Sequence, residues 1–391
     1  MPPDSAQCLA CGATETRVFL HIPRVPVHCN VLWPTRGAAI NAPRGEIRLT
    51  FCECCGHVFN EIFDPGLMTY TNGYENSLHF SAQFHEYASN LASELIERHN
   101  LRKKGIIEIG CGKGDFLRLL CAFGGNRGIG FDPSCDDSDQ TDKNITIIPD
   151  FYSDRYAYYE ADFICCRHVL EHIDRPKHFL SQMRRAIGLR DTVVYFEVPN
   201  VLYTLKDLGI WDIIYEHCSY FTDRSMRRLF EWAGFGVKRL NAAFGGQFLC
   251  LEAVPASLGE TQPPLKRDGI QNLSILVSSF NDAYRAKVDE WNDRLGELLK
   301  QGKRVAIWGS GSKGVTFLNI LPCAPQIECV VDINPRKQGK FVSGTGQEIV
   351  SPEWLGEYSP DTILVVNPIY KSEIENRTHQ LGITSRIMVV R

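Results

Sequence analysis

The sequence predicts an α/β protein in three parts, and three observations carry that reading. Short apolar runs alternate with helix-length stretches in two separate regions, the pattern of a parallel sheet with helical crossovers. A long amphipathic segment stands between those regions. Ahead of both, residues 1–70 are rich in Cys, Pro and Gly with only short apolar runs, too little for an ordinary core and suited to a small module stapled by a metal. The expected boundaries are 1–70, 71–260 and 261–391.

In the first part, Cys8-Leu-Ala-Cys11 and Cys52-Glu-Cys-Cys55 form two C-x2-C knuckles. Four thiolates delivered by two tight turns meet the tetrahedral demand of a structural zinc ion, so Cys8, Cys11, Cys52 and Cys55 are the expected ligands. Gly12 and Gly56 follow the second cysteine of each pair, where a knuckle needs backbone freedom. Cys54 can replace Cys52 or Cys55 in this set, so that choice stays open. Four protein ligands close the site, which makes it structural and not catalytic. The chain's fifteen cysteines are scattered and odd in number, which favours metal binding and core packing over disulfides.

The second part opens with a helical pattern from Ser81 (Phe84, Tyr87, Ala88, Leu91, Leu95, Ile96) that leads into the strand Gly105-Ile-Ile-Glu-Ile-Gly110. Further apolar runs lie at 126–132, 145–149, 161–167 and 192–198. A Pro, Gly and Ser stretch from Pro255 to Pro264 marks a linker, and residues 270–301 read as one helix through Leu273, Val277, Phe280, Tyr284, Val288, Trp291, Leu295 and Leu298. Strands at 304–308, 327–332 and 362–367 then build the smaller α/β domain.

Composition narrows the function. With 391 residues, 44% hydrophobic and 23% charged, the chain has room for two or three domains. A net charge of −4 argues against broad attraction to nucleic acid or to an anionic membrane, so a small-molecule substrate is expected. No apolar run approaches membrane-spanning length, and Met-Pro-Pro-Asp-Ser at the start lacks the basic and apolar regions of a signal peptide, which predicts a cytoplasmic protein. A monomer and a homodimer both stay open.

The strongest chemical signal is Glu108-Ile-Gly110-Cys-Gly112-Lys-Gly114-Asp115, a strand running into G-x-G-x-G and then a helix. Glycines there let the backbone approach a bound ligand. Gly128-Ile-Gly-Phe-Asp132 ends the next strand on a carboxylate suited to ribose hydroxyls, by analogy with other doubly wound cofactor folds. This stretch resembles motif I of the class I methyltransferases, a Rossmann-like fold, which implies S-adenosylmethionine as cofactor, Glu108 as a contact to its amino group, and Asp150 and Phe151 at its adenine. The segment Ala161-Asp-Phe-Ile-Cys-Cys-Arg-His168-Val-Leu-Glu-His172 resembles the fourth strand and following loop of those enzymes. For His168 and His172 two readings stand: facing the cofactor, or capping and packing the next helix.

Trp211-Asp-Ile-Ile-Tyr215-Glu216-His217-Cys-Ser-Tyr220-Phe221 sets titratable groups among aromatics, surroundings that shift a histidine or tyrosine toward acid-base work. With the cysteine module, Tyr74-Glu-Asn-Ser77 and the C-terminal domain, it resembles the zinc-binding sugar C-methyltransferases over nearly the whole chain. That resemblance implies a nucleotide-linked 4-keto-6-deoxy-sugar as substrate. It implies His217 as the base that takes a proton from the carbon beside the ketone, Glu216 as its neighbour, and Tyr215 or Tyr220 as a substrate or enolate contact. Tyr74 matches a further active-site tyrosine, and a buried packing aromatic is an equally fair reading of it. One departure stands out: the family pattern has a tyrosine two positions before the glutamate, where this chain has Ile214. An O- or N-methyltransferase, or a C-methyltransferase of a non-sugar natural product, is the alternative. A helix-end hydrogen-bonded pair is the bland reading of Glu216 and His217.

In the third part, Trp308-Gly309-Ser-Gly311-Ser-Lys313-Gly314 is a full G-x-G-x-x-G after a strand, and Asp332 ends the next strand. Taken alone this says dinucleotide, and an NAD-binding oxidoreductase or nucleotide-binding module is the competing class. The family resemblance assigns the same domain to the substrate's nucleotide, with Gly309, Gly311, Lys313, Gly314, Asp332, Asn367 and Tyr370 as contacts. An N-terminal helix end binds a pyrophosphate from either source.

Overall fold

The computed structural model describes residues 6–68, 73–135, 143–256 and 268–390. Its central layer is a seven-stranded sheet in the order Phe235–Ala243, Phe248–Pro255, Val193–Pro199, Phe163–Arg167, Gly105–Ile109, Arg127–Phe131, Ile145–Ile148. The last five run parallel and the first two close one edge as an antiparallel hairpin. The expected alternation therefore forms a mixed sheet. The helix Ala82–His99 starts at Ser81, whose side chain accepts from the Phe84 N–H, and ends on Asn100 in the left-handed region. Strand Gly105–Ile109 lies between Phe163–Arg167 and Arg127–Phe131, so the strand order reverses there and a crevice opens at its carboxyl end.

A second, wholly parallel sheet runs Glu348–Val350, Cys329–Val331, Val305–Trp308, Thr362–Val365, Arg386–Val389. Its own reversal falls at Val305–Trp308, which leads into the second glycine loop.

The N-terminal region departs from expectation. It holds the strand Thr16–Pro26, long for so Pro-rich a segment, paired antiparallel with Arg44–Cys52, which pairs with Val58–Asn60. The fourth strand of that sheet is Ser219–Tyr220, from the predicted chemical centre. Nor does the module lack a core. Phe19, Ile22, Ile47 and Phe51 join one apolar cluster with Val277, Phe280 and Trp291 of the helix Asp268–Lys300 and with Phe317. The apolar runs are short because the partners that bury them come from elsewhere in the chain. The long helix is thus a strut: Phe280 meets Phe19 at 5.9 Å and Trp291 meets Phe317 at 6.0 Å, both edge-on. Most of the Pro255–Pro264 stretch lies outside the described residues. Among the described residues no helix is long and apolar enough to cross a membrane.

Candidate active site

The two sheets turn the carboxyl ends of their strands toward one cavity of about 960 Å³. Gly110 and Gly112 line it just past Ile109, His168 just past Arg167, and Pro199 at the end of its strand. From the other side come Gly309, Gly311, Lys313, Gly314, Asp332, Asn367 and Tyr370. Tyr74 and His217 lie in the same lining.

On the first side, Glu108 is 3% exposed and its Oε2 has no hydrogen-bond partner. Burial pushes its carboxyl up to about 8. A buried acceptor without a donor, beside a glycine loop at a cavity wall, fits a ligand that carries an ammonium group. Gly110, Gly112 and Gly114 all have positive φ, and a Cβ on Gly110 would lie 2.0 Å from Val169 Cγ2. Gly110→Ala is therefore expected to abolish measurable S-adenosylmethionine binding by calorimetry while the rest of the fold keeps its circular dichroism. Binding at the wild-type level would show that the loop does not hold the cofactor.

Three expected cofactor contacts sit differently. Asp132 accepts the Gly112 N–H at 2.8 Å and the Ser134 N–H and hydroxyl at 2.9 and 2.6 Å, so its carboxylate braces the loop and stands behind the lining. Asp150 pairs with Arg155 and accepts the Tyr156 hydroxyl at 2.5 Å. Phe151 is 61% exposed. Neither of these last two lines the cavity. Local acids and hydroxyls consume the polar groups that a sequence pattern leaves looking free.

At the centre, burial together with the neighbouring His172, His168 and Lys313 pushes the His217 ring well below the ordinary imidazole range. One ring nitrogen donates to the Asp212 carbonyl, and Nδ1 has no partner. The His172 ring stands 5.0 Å away, edge-on. Glu171, His172 and His217 present polar atoms within 4.8 Å of one another. Glu216 is wholly buried behind this group, outside the lining. Burial opposes its charge, but His28, His172, the Cys29 N–H at 2.9 Å and Tyr74 outweigh that and hold the carboxyl below its usual range.

Two tyrosines expected here do not reach the cavity. The Tyr215 hydroxyl accepts the Asp64 N–H at 2.9 Å, and its ring fills the space against Gly45, where a Cβ would lie 2.3 Å away. The Tyr220 hydroxyl donates to the Ile214 carbonyl at 3.0 Å. Both are built into backbone joints, Tyr215 from a turn that the His217 N–H closes on the Ile214 carbonyl and Tyr220 from the short strand that follows. Tyr74 does line the cavity, as does Ile214.

On the second side, Gly309 has φ +105°, and a Cβ on Gly314 would strike the Gly309 carbonyl at 2.1 Å, so the turn demands both glycines. Asp332 accepts the Ser310 N–H and hydroxyl and the Asn334 N–H, repeating the brace that Asp132 makes in the first sheet. Lys313 is turned to Asp212. Asn367 exchanges two amide hydrogen bonds with Gln247, at 3.0 and 3.1 Å, across the cavity. Tyr370 packs near Phe244 at 6.1 Å.

The cysteines come together as two knuckles. Cys8, Cys11, Cys52 and Cys55 place their sulfurs within 4.8 Å of one another, with Cys8 to Cys55 at 3.7 Å and Cys11 to Cys52 at 3.5 Å. The Gly12 N–H donates to Cys8 O and the Gly56 N–H to Cys52 O, each glycine having φ near +75° (+74° and +76°). Cys54 is exposed and outside the group. The donor set fits a tetrahedral thiophilic cation.

Several functional-looking groups escaped sequence reading. Arg167 and Glu197 form a buried pair at 2.8 Å under the site, with Arg167 over the Phe116 ring at 4.1 Å and Tyr87 and Tyr195 donating to Glu197. Glu75 bridges to Asn334 at 3.1 Å and Arg336 at 3.3 Å, and Glu373 accepts from Ser81, Ala82 and Gln83. Each joins segments far apart in the chain, and only a charge inside an apolar strand, as at Arg167 and Glu197, was a visible hint.

A methyltransferase-domain family model matches residues 80–240, and a C-methyltransferase C-terminal domain model matches residues 266–390. The chain is similar to the C-methyltransferase NovU of Streptomyces niveus, 27% identical over 285 residues that cover 69% of this chain and 67% of that one. Among solved structures, it is similar to the Burkholderia thailandensis 1,6-didemethyltoxoflavin-N1-methyltransferase (14% identity, 44% of this chain and 80% of that one, TM-score 0.35). It is also similar to the magnesium protoporphyrin IX methyltransferase of Synechocystis PCC 6803 (17% identity, 44% and 84%, TM-score 0.35). With the two family models following one another along the strands that build this cavity, the chain belongs to the S-adenosylmethionine-dependent C-methyltransferases.

Proposed function

We propose that the protein transfers a methyl group to the carbon beside the ketone of a nucleotide-linked keto-deoxysugar. One observation carries this reading: two glycine loops at two sheet reversals open onto one cavity, and an imidazole with an unpartnered nitrogen lies between them. Two such loops suit two ligands, and the second has the helix N-terminus that a pyrophosphate prefers.

Bound S-adenosylmethionine supplies an electrophilic methyl group. The chain's residues do the rest. Glu108 and the Gly110–Gly114 loop hold the donor, with Asp132 bracing the loop from behind. His217 is uncharged near neutral pH, so Nδ1 is available to take the α-proton. Glu216 is a positioning residue, its charge turned to the His172 that flanks the base. Tyr74 contacts the substrate from the lining. The Gly309–Gly314 loop, Asp332, Asn367 and Tyr370 hold the nucleotide. The four cysteines hold a structural zinc ion.

The test is incubation with S-adenosylmethionine and the thymidine, guanosine, cytidine and uridine diphosphate 4-keto-6-deoxy-hexoses in turn. A product with its new methyl on a quaternary or tertiary carbon by NMR is expected from one of them. A methyl on oxygen or nitrogen would overturn the reading in favour of heteroatom transfer, which the apolar Ile214 in the lining favours because that chemistry needs less acid-base help. No turnover of any of the four would remove the nucleotide-sugar substrate.

A further inference from the structure

Enolisation needs a donor for the developing oxyanion as well as a base. The hydroxyls near His217 do not supply one. Tyr215 and Tyr220 are bonded to backbone groups away from the cavity, Ile214 is apolar, and Tyr74 already donates to Glu216.

Lys313 stands in the right place by a packing argument. It shares a helix face with Phe317, four residues on. That face is turned by the Phe317 ring, which meets Trp211 edge-on at 5.0 Å and Trp291 at 6.0 Å. The lysine is therefore carried toward residue 212, and its ammonium donates to the Asp212 carboxylate, both side chains largely buried. The Asp212 backbone carbonyl accepts from the His217 ring. Ammonium, carboxylate and imidazole form one unit in the cavity wall, and all three residues line the cavity. An ammonium has three hydrogens; Asp212 takes one and fixes the group, leaving two for a ligand.

We propose that Lys313 is a catalytic residue that stabilises the enolate oxygen as His217 removes the α-proton, a role that rests on the C-methylation reading above. In that step the C–H bond breaks and the proton goes to Nδ1 of His217. The C–H pair becomes the new C=C π pair, and the carbonyl π pair moves onto oxygen, where an Nζ–H of Lys313 donates to it. Asp212 is the positioning residue for the ammonium. The phosphates of the substrate are then left to the backbone N–H groups of the Gly309–Gly314 turn, without the lysine that a glycine-loop pattern leads one to place there.

The experiment compares Lys313→Met with the wild-type protein on whichever of the four nucleotide keto-sugars the wild type methylates. Exchange of the α-proton with D2O is followed by NMR with S-adenosylhomocysteine in place of the donor, beside kcat, KM and calorimetric affinity for the free nucleoside diphosphate. The expected result is that exchange and kcat both fall about a hundredfold or more, while KM and the diphosphate affinity hold. Unchanged exchange and kcat with a large rise in KM and weakened diphosphate binding would make Lys313 a phosphate contact and overturn the proposal. Unchanged S-adenosylhomocysteine affinity serves as the folding control. Lys313→Gln, which keeps N–H donors but no charge, gives a second comparison if the methionine variant does not accumulate, with the same expected and overturning results. A wild-type protein that methylates none of the four sugars sinks the substrate reading instead, which keeps the two failures apart.

Discussion

Replacing His217 with asparagine is expected to lower kcat by about 10² to 10⁴-fold and to leave S-adenosylmethionine affinity unchanged. The ring lines the cavity and combines an unpartnered nitrogen with a neutral state near pH 7, because burial, His172, His168 and Lys313 all disfavour its cation. Measured against pH, wild-type kcat should therefore stay flat from about pH 8 to 6, with its acid limb below the ordinary histidine value of about 6.5. The same shift has a stability sign. A histidine whose folded-state pKa is depressed contributes stability that is present above its unfolded value of about 6.5 and lost as pH falls toward the folded one. The asparagine variant should accordingly lose less stability than wild type between pH 7 and 5 in denaturant titrations. Normal turnover by the variant would assign the base elsewhere.

Metal removal is expected to act on both stability and catalysis. The purified protein should carry one equivalent of zinc by elemental analysis. Cys55→Ser, or a strong chelator, should release it with a large drop in thermal midpoint, since zinc bound to four thiolates contributes on the order of 10 kcal/mol in small modules. Here the consequence travels. The knuckles anchor the strand Arg44–Cys52, which pairs with Val58–Asn60, which pairs with Ser219–Tyr220 just past His217. The His57 ring, one residue beyond Gly56, lies 3.2 Å from the Ser219 hydroxyl. Loss of the staple should thus reduce kcat although none of the four knuckle cysteines lines the cavity. A metal-free protein with full stability and activity would refute the structural role.

What was legible in the sequence was local. The Gly110–Gly114 loop announced itself because a strand, a sharp turn and a helix follow within a dozen residues, and the positive φ values there leave glycine as the residue that fits. The cysteine knuckles were legible for the same reason, each turn closing over five residues. Helix-period spacing placed Phe280 and Trp291 on the buried face of the long helix, though not what they would bury against.

Side-chain direction on an irregular segment was not legible. Tyr215, Glu216, His217 and Tyr220 form one dense motif, yet of these His217 alone lines the cavity, because the backbone that follows pairs Ser219 with Phe59 and Tyr220 with Val58, far earlier in the chain, and that pairing aims the segment. Asp132 and Asp150 looked free on paper and are held by neighbours, since a short acidic side chain satisfies nearby N–H and O–H groups before it meets a ligand.

The sequence by itself determined the α/β class, the metal-knuckle pattern and the two glycine loops, because each depends on periodicity or on backbone conformations set within a few residues. Only the tertiary structure decided that both loops face one cavity, that the N-terminal sheet takes its last strand from the segment that carries His217, and that Lys313 is aimed at Asp212. Those are outcomes of packing between residues tens to hundreds of positions apart, where burial of rings such as Trp211 against Phe317 outweighs any local preference of the polar groups they carry with them.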